Sequence, residues 1–215
     1  MSLHSMKSVL SAALVTVCVY GTAFAQGNTL QMGKRPPMIS ATAASGRWTE
    51  RAAFDATTYG KVRGVIPSIS REAKIVIYTS DLSEDFFKVA GSVDKYVIAH
   101  PDLAWSFVQV QDVKGAQAGG YTAQELSARL AEIRSLTRKH GIRQLSFVVA
   151  ASGSRATESD KTVTLVYVHP ADKSSQFSTI AWTTTAPAAS LQGKALADQL
   201  SALDAAVSGK GSVSQ

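Results

Sequence analysis

The segment from residue 73 to residue 111 constrains the fold of this chain most strongly. It contains an apolar, β-branched run at 74–80, an amphipathic stretch at 84–99 and a second apolar run at 105–111. Two strands joined by a helix of this length pair in parallel, with a right-handed crossover between them. The pattern therefore predicts a βαβ unit.

Further elements follow this unit. Their apolar spacing and turn residues predict the order β-α-β-α-β-β-β-α, in which the last two strands form an antiparallel hairpin. The best-marked element is the second helix, because Thr122 and Glu125 form a capping-box pattern and Gly141 suits its C-terminal end. The elements predicted after the βαβ unit are a helix at 122–140, strands at 145–149, 163–168 and 177–184, and a helix at 191–207.

The first 25 residues have the form of an export signal. Lys7 precedes an apolar run of 12 residues at 9–20, and the Ala-Phe-Ala sequence at 23–25 has the small-x-small form of a cleavage site. The apolar run is shorter than the roughly 20 residues that a membrane-spanning helix needs. We therefore expect an exported protein, periplasmic or secreted, that begins at Gln26 and does not span a membrane. Retention of the signal as an anchor stays open.

The sequence has one cysteine, Cys18, which lies within the apolar run of the signal. Cleavage after Ala25 removes it, whether translation starts at Met1 or at Met6. The predicted mature chain therefore lacks disulfides, thiolate nucleophiles, cysteine metal ligands and dithiol redox chemistry.

The excess positive charge lies near the start of the predicted mature chain. Residues 26–75 contain eight bases and three acids, whereas residues 76–215 contain 13 of each. Two interpretations of these bases stay open. They are either a solvated tether or a contact surface for an anionic partner, such as a polysaccharide, lipid headgroups or nucleic acid. We expect no specific binding of nucleic acid.

The composition predicts four parts in the chain. After the signal peptide at 1–25, residues 26–47 are poor in large apolar side chains and are predicted to be a flexible basic linker. The folded domain is predicted at 48–207, and a disordered polar tail at 208–215.

Three acids, Asp81, Glu84 and Asp85, lie between the first strand of the βαβ unit and its helix. One explanation is that Asp81 or Ser83 caps the helix, and that Glu84 and Asp85 in its first turn stabilise its positive end. The alternative is a metal site or acid–base chemistry at the carboxyl end of a parallel strand, which would need a histidine such as His100 to be brought close by folding. We interpret the histidines that follow an element as helix-end residues, for His100 and His140, and as a turn residue, for His169. The sequence thus nominates no catalytic, cofactor-binding or metal-binding residue.

Over residues 73–207 this pattern resembles the thioredoxin-like superfamily. The resemblance lies in the element order and in junctions such as His-Pro-Asp-Leu at 100–103 and Lys-His-Gly-Ile at 139–142. It implies an α/β fold, a three-layer sandwich whose central mixed sheet contains a parallel βαβ unit and a C-terminal antiparallel hairpin followed by a helix.

Two parts that this family uses for redox chemistry are missing from the sequence. The family's Cys-x-x-Cys pair follows the first strand of the βαβ unit, and here Asp-Leu-Ser-Glu at 81–84 holds that place. The family's cis-proline follows a Gly-Ile junction, whereas Gly141 and Ile142 are followed by Arg-Gln-Leu-Ser. Redox function therefore does not carry over.

The chain most resembles exported, cysteine-less bacterial members of unknown role. This predicts a non-catalytic binding or interaction module that needs no cofactor and has an anionic or protein partner. The alternative is a non-redox enzyme that uses the carboxylates at the start of the first helix of the domain.

Overall fold

The computed structural model places the described part of the chain in one sheet with helices packed on it. The predicted signal peptide at 1–25, with Cys18 and the cleavage site after Ala25, lies outside the described residues, as does the predicted domain start at residue 48. The described residues are 30–34, 36, 40–47, 61–63, 73–111, 121–150, 162–170 and 178–209.

The elements follow the predicted order from residue 73 onward, with two additional strands before it. The helices are α1 (Glu84–Ala99), α2 (Ala123–Lys139) and α3 (Gly193–Val207). The strands are β1 (Ser40–Ser45), β2 (Lys61–Arg63), β3 (Lys74–Thr79), β4 (Phe107–Val110), β5 (Ser146–Ala150), β6 (Thr162–His169) and β7 (Thr179–Pro187).

In the described residues the seven strands form one mixed sheet in the order β2-β1-β5-β4-β3-β6-β7. Strand β4 pairs in parallel with both β3 and β5, and all other neighbours pair antiparallel. Helix α1 connects the parallel strands β3 and β4, so the predicted βαβ unit is confirmed. The predicted hairpin is also confirmed, because β6 pairs antiparallel with β7.

Strand β3 shows why the run at 75–78 has no polar alternation. All six of its residues are buried, and successive side chains point to opposite faces of the sheet. Ile75 and Ile77 belong to the core beneath the helices, whereas Val76 and Tyr78 belong to a second core on the other face. A strand buried on both faces lacks the polar alternation of a half-exposed strand.

The helices bury their apolar faces against the first of these cores. Phe86, Val93 and Val97 of α1 are almost inaccessible to solvent, and Ile133 of α2 and Leu203 of α3 join the same cluster. Burying side chains of this size contributes about 1.5–3 kcal/mol each. The sheet order, the βαβ unit and the terminal hairpin with α3 make this a thioredoxin-like α/β sandwich.

The prediction of a flexible linker at 26–47 is wrong for residues 40–45, which form β1. Strand β1 lies inside the sheet between β2 and β5, and Ala41 and Ala44 are each 1% exposed. Upstream, the amide of Gly33 donates to the Ile180 carbonyl at 2.7 Å, and the amide of Ile180 donates to the Lys34 carbonyl at 2.8 Å. Paired backbone and small side chains hold this segment in the sheet, so the domain begins no later than Ser40.

The C-terminal end of α3 is well defined. The amide of Ser208 donates to the Asp204 carbonyl at 2.9 Å, and Gly209 has a φ of +66°, a left-handed conformation that commonly ends a helix. The first two residues of the predicted disordered tail are therefore part of the helix-ending turn, and residues 210–215 lie outside the described part. No helix of the described segments has the length and apolarity required to cross a membrane.

Candidate functional site

The turn between β3 and α1, where the family keeps its thiol pair, is an N-terminal capping structure. The amide and the hydroxyl of Ser83 donate to the two carboxylate oxygens of Asp81, each at 2.9 Å. The Ser83 hydroxyl in turn accepts from the amide of Phe86 at 3.3 Å. The capping explanation is therefore confirmed for Ser83, which is the N-cap of α1, whereas Asp81 holds Ser83 in place.

Glu84 connects the first turn of α1 to the end of α2. Its carboxylate lies 2.6 Å from the Lys139 ammonium and 3.6 Å from the Nε2 atom of His140. The hydrogen bond from Lys139 lowers the pKa of the Glu84 carboxyl, and nearby positive charges add to this effect. Asp85 instead contacts Lys88 at 2.8 Å. Folding thus sends the three acids to three different partners, and only Glu84 meets a histidine.

His140 lies in a defined position over α1. Its ring stacks on that of Phe87, with the two centroids 4.3 Å apart and the planes within 7° of parallel. The His140 side chain is 16% exposed, so one edge stays accessible beside the Glu84 carboxylate. The predicted role of His140 as a helix-end residue is confirmed, because it forms the C-cap of α2. The contact with Glu84 was not predicted.

His100, which the alternative hypothesis required near these acids, lies at the opposite end of α1. Its Nδ1 atom is 2.8 Å from the Tyr96 carbonyl, and its Nε2 atom is 3.6 Å from Asp204 of α3. The Tyr96 hydroxyl donates to the same Asp204 carboxylate at 3.1 Å. Burial and this hydrogen bond raise the pKa of Tyr96. The group joins α1 to α3. His100 is the C-cap of α1, so its interpretation as a helix-end residue is confirmed, and the alternative hypothesis that folding brings it to the acidic turn is wrong.

Asp94 is a buried carboxylate that sequence reasoning missed. It is 3% exposed and accepts three backbone hydrogen bonds from the loop before β5. The amides of Gln144 and Leu145 donate to its Oδ1 atom, each at 2.7 Å, and the amide of Arg143 donates to Oδ2 at 3.0 Å. An acid between the apolar residues of a predicted helix was the available signal, but its partners lie about 50 residues away in sequence.

Another buried polar group lies on the second face of the sheet. Gln109 of β4 is fully buried, and among the described residues neither atom of its side-chain amide has a hydrogen-bond partner. Its neighbours across the sheet are Tyr78 and Val148. Burial raises the pKa of Tyr78, so this phenol stays neutral at physiological pH.

The described residues contain no group of three or more His, Cys, Asp or Glu side chains that could hold a metal ion. The residues at the acidic turn therefore offer a carboxylate, an ammonium and an imidazole, but not a metal centre. Chemically, this set can bind an anion or a hydrogen-bonding group, or transfer a proton.

Comparisons with known proteins give similarity at the level of shape. No protein-family model and no curated protein matches the chain. A putative protein disulfide isomerase from Bacteroides thetaiotaomicron has a TM-score of 0.48 at 11% identity, covering 82% of this chain and 89% of its own.

Two other solved structures have similar values. A secreted disulfide oxidoreductase from Mycobacterium tuberculosis has a TM-score of 0.44 at 10% identity, covering 77% of this chain and 96% of its own. A thiol peroxidase from Chromobacterium violaceum has a TM-score of 0.43 at 9% identity, covering 75% and 79%. Such distant likeness carries no argument about the chemistry of the site.

Proposed function

We propose that this chain is an exported protein that uses a thioredoxin-like scaffold as a non-catalytic binding module without redox activity. One observation carries the proposal. The place where the family has its Cys-x-x-Cys pair holds Asp81 and Glu84. The carboxylate of Asp81 accepts two hydrogen bonds from the capping residue Ser83, and that of Glu84 binds Lys139.

The chemical reason is direct. Thiol–disulfide exchange requires a thiolate that attacks a disulfide sulfur, and a carboxylate cannot replace it because it forms no stable bond to sulfur. The single cysteine of the sequence, Cys18, cannot form a Cys-x-x-Cys pair in either the full or the shortened chain. What the scaffold retains is a folded surface for contact with a partner.

Two measurements test this proposal. Intact-mass analysis of the exported protein should show a chain that begins at Gln26, because the signal ends in Ala-Phe-Ala. The same protein should not accelerate the reduction of insulin by dithiothreitol. Thiol-dependent turnover by a pure preparation would refute the absence of redox activity, and an intact signal on a membrane-bound product would refute cleavage.

A second candidate function is acid–base catalysis, favoured by the contact of 3.6 Å between Glu84 and His140. A carboxylate beside an imidazole can orient the ring and stabilise its protonated form, as a general base requires. Hydrolysis of p-nitrophenyl acetate, butyrate and phosphate tests it. Catalysis would have to fall in both Glu84→Gln and His140→Gln but not in Asp85→Asn, the matched acid one residue later. Equal rates in all three variants and the parent would remove this candidate.

A further inference from the structure

Strand β7 forms one edge of the sheet and pairs with β6 on its inner side. In the described part of the chain, the backbone of β7 makes further bonds only near its two ends. Ile180 is bonded to Gly33 and Lys34, and the carbonyl of Pro187 accepts from the amide of Leu191. Alternate residues of an edge strand direct their amide and carbonyl groups away from the sheet. The stretch at 181–186 therefore presents backbone groups that a further strand can bind.

This stretch lacks the residues by which edge strands usually avoid pairing. Its sequence is Ala-Trp-Thr-Thr-Thr-Ala, which is rich in residues of high β-propensity and contains no proline and no charge. No charged residue occurs anywhere from Ser178 to Ser190. Thr185 is exposed, and the other five residues are partly exposed. A second strand at this edge thus meets no charge and no proline.

The stretch is complementary to itself when two copies run antiparallel. Side chains that lie directly opposite each other share a face of the sheet, so the two-fold axis passes through a residue and not between two residues. With the axis at Thr184, Trp182 lies opposite Ala186 of the second copy, and Thr183 lies opposite Thr185. Trp182 and Ala186 both pack against the core beneath the helices, so a large apolar side chain meets a small one.

The same register keeps the segment at 31–34 out of the way. That segment contacts β7 at Ile180, four residues before Thr184. Pairing about Thr184 therefore sets Ile180 opposite Ala188 of the second copy, which lies past the end of β7 at Pro187. The segment thus faces a part of the second copy where the strand has already ended.

Helix α3 has an uncharged flank on the side of this edge. The helix contacts both β6 and β7, and its Asp204 meets α1 through the hydroxyl of Tyr96. Because α1 connects β3 and β4, which lie further inside the sheet, the flank of α3 opposite Asp204 faces the edge. At 100° per residue, the residues about 140–180° round α3 from Asp204 are Ala195, Gln199, Ala202 and Ala206. None of them is buried.

Pairing of two β7 edges brings the two α3 helices side by side. The two-fold axis is perpendicular to the sheet, so both helices lie on the same face. Neighbouring strands are about 4.8 Å apart, and α3 lies over β6 and β7, so the two helix axes come within about 10 Å. Helices pack at about 8–10 Å, depending on the side chains between them, and a flank of alanines suits this distance. A strand from another protein would use the backbone edge but not this flank.

We propose that this chain forms a two-fold dimer in which β7 pairs antiparallel with β7 of a second copy and the two α3 helices pack together. The uncharged, self-complementary edge and the alanine flank of α3 favour a second copy over other strands. The dimer goes beyond the binding role proposed above and does not depend on it. Its contact is limited to one short strand and one helix flank, so we expect a dimer that dissociates on dilution.

Sedimentation velocity of the exported protein between about 5 and about 500 µM tests the proposal, because this range covers the weak affinities expected of small interfaces. Thr184→Lys and Thr184→Glu each place two like charges directly opposite each other across the axis. We expect each variant to raise the Kd of the dimer at least about tenfold. In an equimolar mixture of the two variants lysine meets glutamate, and the Kd should return to within about threefold of the parent value.

The controls are Ser201→Lys and Ser201→Glu, which add the same charges at an exposed position of α3 outside the alanine flank. Their Kd should stay within about twofold of the parent value. Ala202→Arg is an independent variant, because it adds bulk and charge between the two helices and should also weaken the dimer at least about tenfold. Ala202 is exposed, so this variant tests the interface even if a charge at the partly exposed Thr184 disturbs folding, which circular dichroism and Tm reveal.

Several results would overturn the proposal. A monomer at about 500 µM would exclude the dimer, and hydrogen exchange would then identify the occupant of the edge. Protected amides at 181–186 in that monomer would assign the edge to another segment of the same chain, and unprotected amides would leave it to a strand of another protein. Equal losses in the Ser201 and Thr184 variants would show that only net charge matters. A mixture of the Thr184 variants that fails to dimerise would exclude pairing about Thr184.

Discussion

Replacing Asp94 by alanine should destabilise the fold more than the loss of any exposed ion pair. The substitution removes the acceptor of three backbone amides, those of residues 143–145. The amide of Leu145 is buried, and a buried amide without a partner costs about 1–3 kcal/mol. The other two amides are partly buried and can turn to water, so each loses about 0.5–1.5 kcal/mol.

We therefore expect Asp94→Ala to lower the free energy of unfolding by about 4 kcal/mol, within a range of about 2–6 kcal/mol. In thermal unfolding, a loss of about 4 kcal/mol corresponds to a fall in Tm of about 8–16 °C for a chain of this size. Asp94→Asn should cost less than alanine. It keeps one oxygen where Oδ1 accepts the amides of Gln144 and Leu145, and it loses the bond from Arg143 and the negative charge.

Urea denaturation followed by circular dichroism measures these differences, provided that the m-value is unchanged. Asp85→Ala is the matched control, because Asp85 lies on the same helix but only contacts the exposed Lys88. Such a pair contributes about 0–1 kcal/mol. If Asp94→Ala and Asp85→Ala differ by less than about 0.5 kcal/mol, buried hydrogen bonding does not hold the α2–β5 connection on α1, and the reasoning fails.

Three further predictions follow from burial, backbone conformation and strand pairing. Gly46→Ala should destabilise the fold more than Gly33→Ala in urea denaturation: both glycines have positive φ, but only at Gly46 would a Cβ collide with Ser146. Deleting residues 26–46 should lower Tm by several degrees, because it removes β1 from the sheet, and an unchanged Tm would show that β1 contributes nothing. In an alkaline titration followed by phenolate absorbance, Tyr78, Tyr96 and Tyr167 should ionise only above the ordinary tyrosine pKa of about 10. Because the folded state favours their neutral form, their contribution to stability is present below that pH and is lost as the pH rises through their raised pKa values. Ionisation of all accessible and buried phenols together near pH 10 would contradict the raised pKa values of Tyr78, Tyr96 and Tyr167.

The elements that could be predicted from the sequence are those whose residue pattern lies within the element itself. Strand β3 has apolar side chains on both of its faces. The start of α2 is predicted by Thr122 and Glu125, and their reciprocal capping is present in the structure. Strand β1 has no such signal, since its Ser-Ala-Thr-Ala-Ala-Ser sequence lacks large apolar side chains. It is a strand because it pairs with β2 and β5, and the residues that provide this pairing lie elsewhere in the sequence.

In the candidate site, too, contacts within one turn could be predicted and contacts between distant elements could not. The capping of α1 by Ser83 depends on neighbours within the turn and was predictable. The contact between Glu84 and His140 depends on how the end of α2 packs against α1, which no spacing in the sequence encodes. For that reason the sequence suggested His100 as the histidine, although it lies at the other end of the same helix.

The position of β1 also has a consequence for how the chain avoids self-association. Ala41 pairs with Ala150, which lies 150 − 41 = 109 residues later, so this edge of the sheet closes only after a long loop has formed. Until then β5 presents a row of unpaired backbone groups flanked by apolar side chains, which is a template for pairing with the same strand of another molecule. Strand β1 thus covers the edge of β5 within the same molecule. A chain that lacks β1 exposes that edge of β5 to pairing with another molecule.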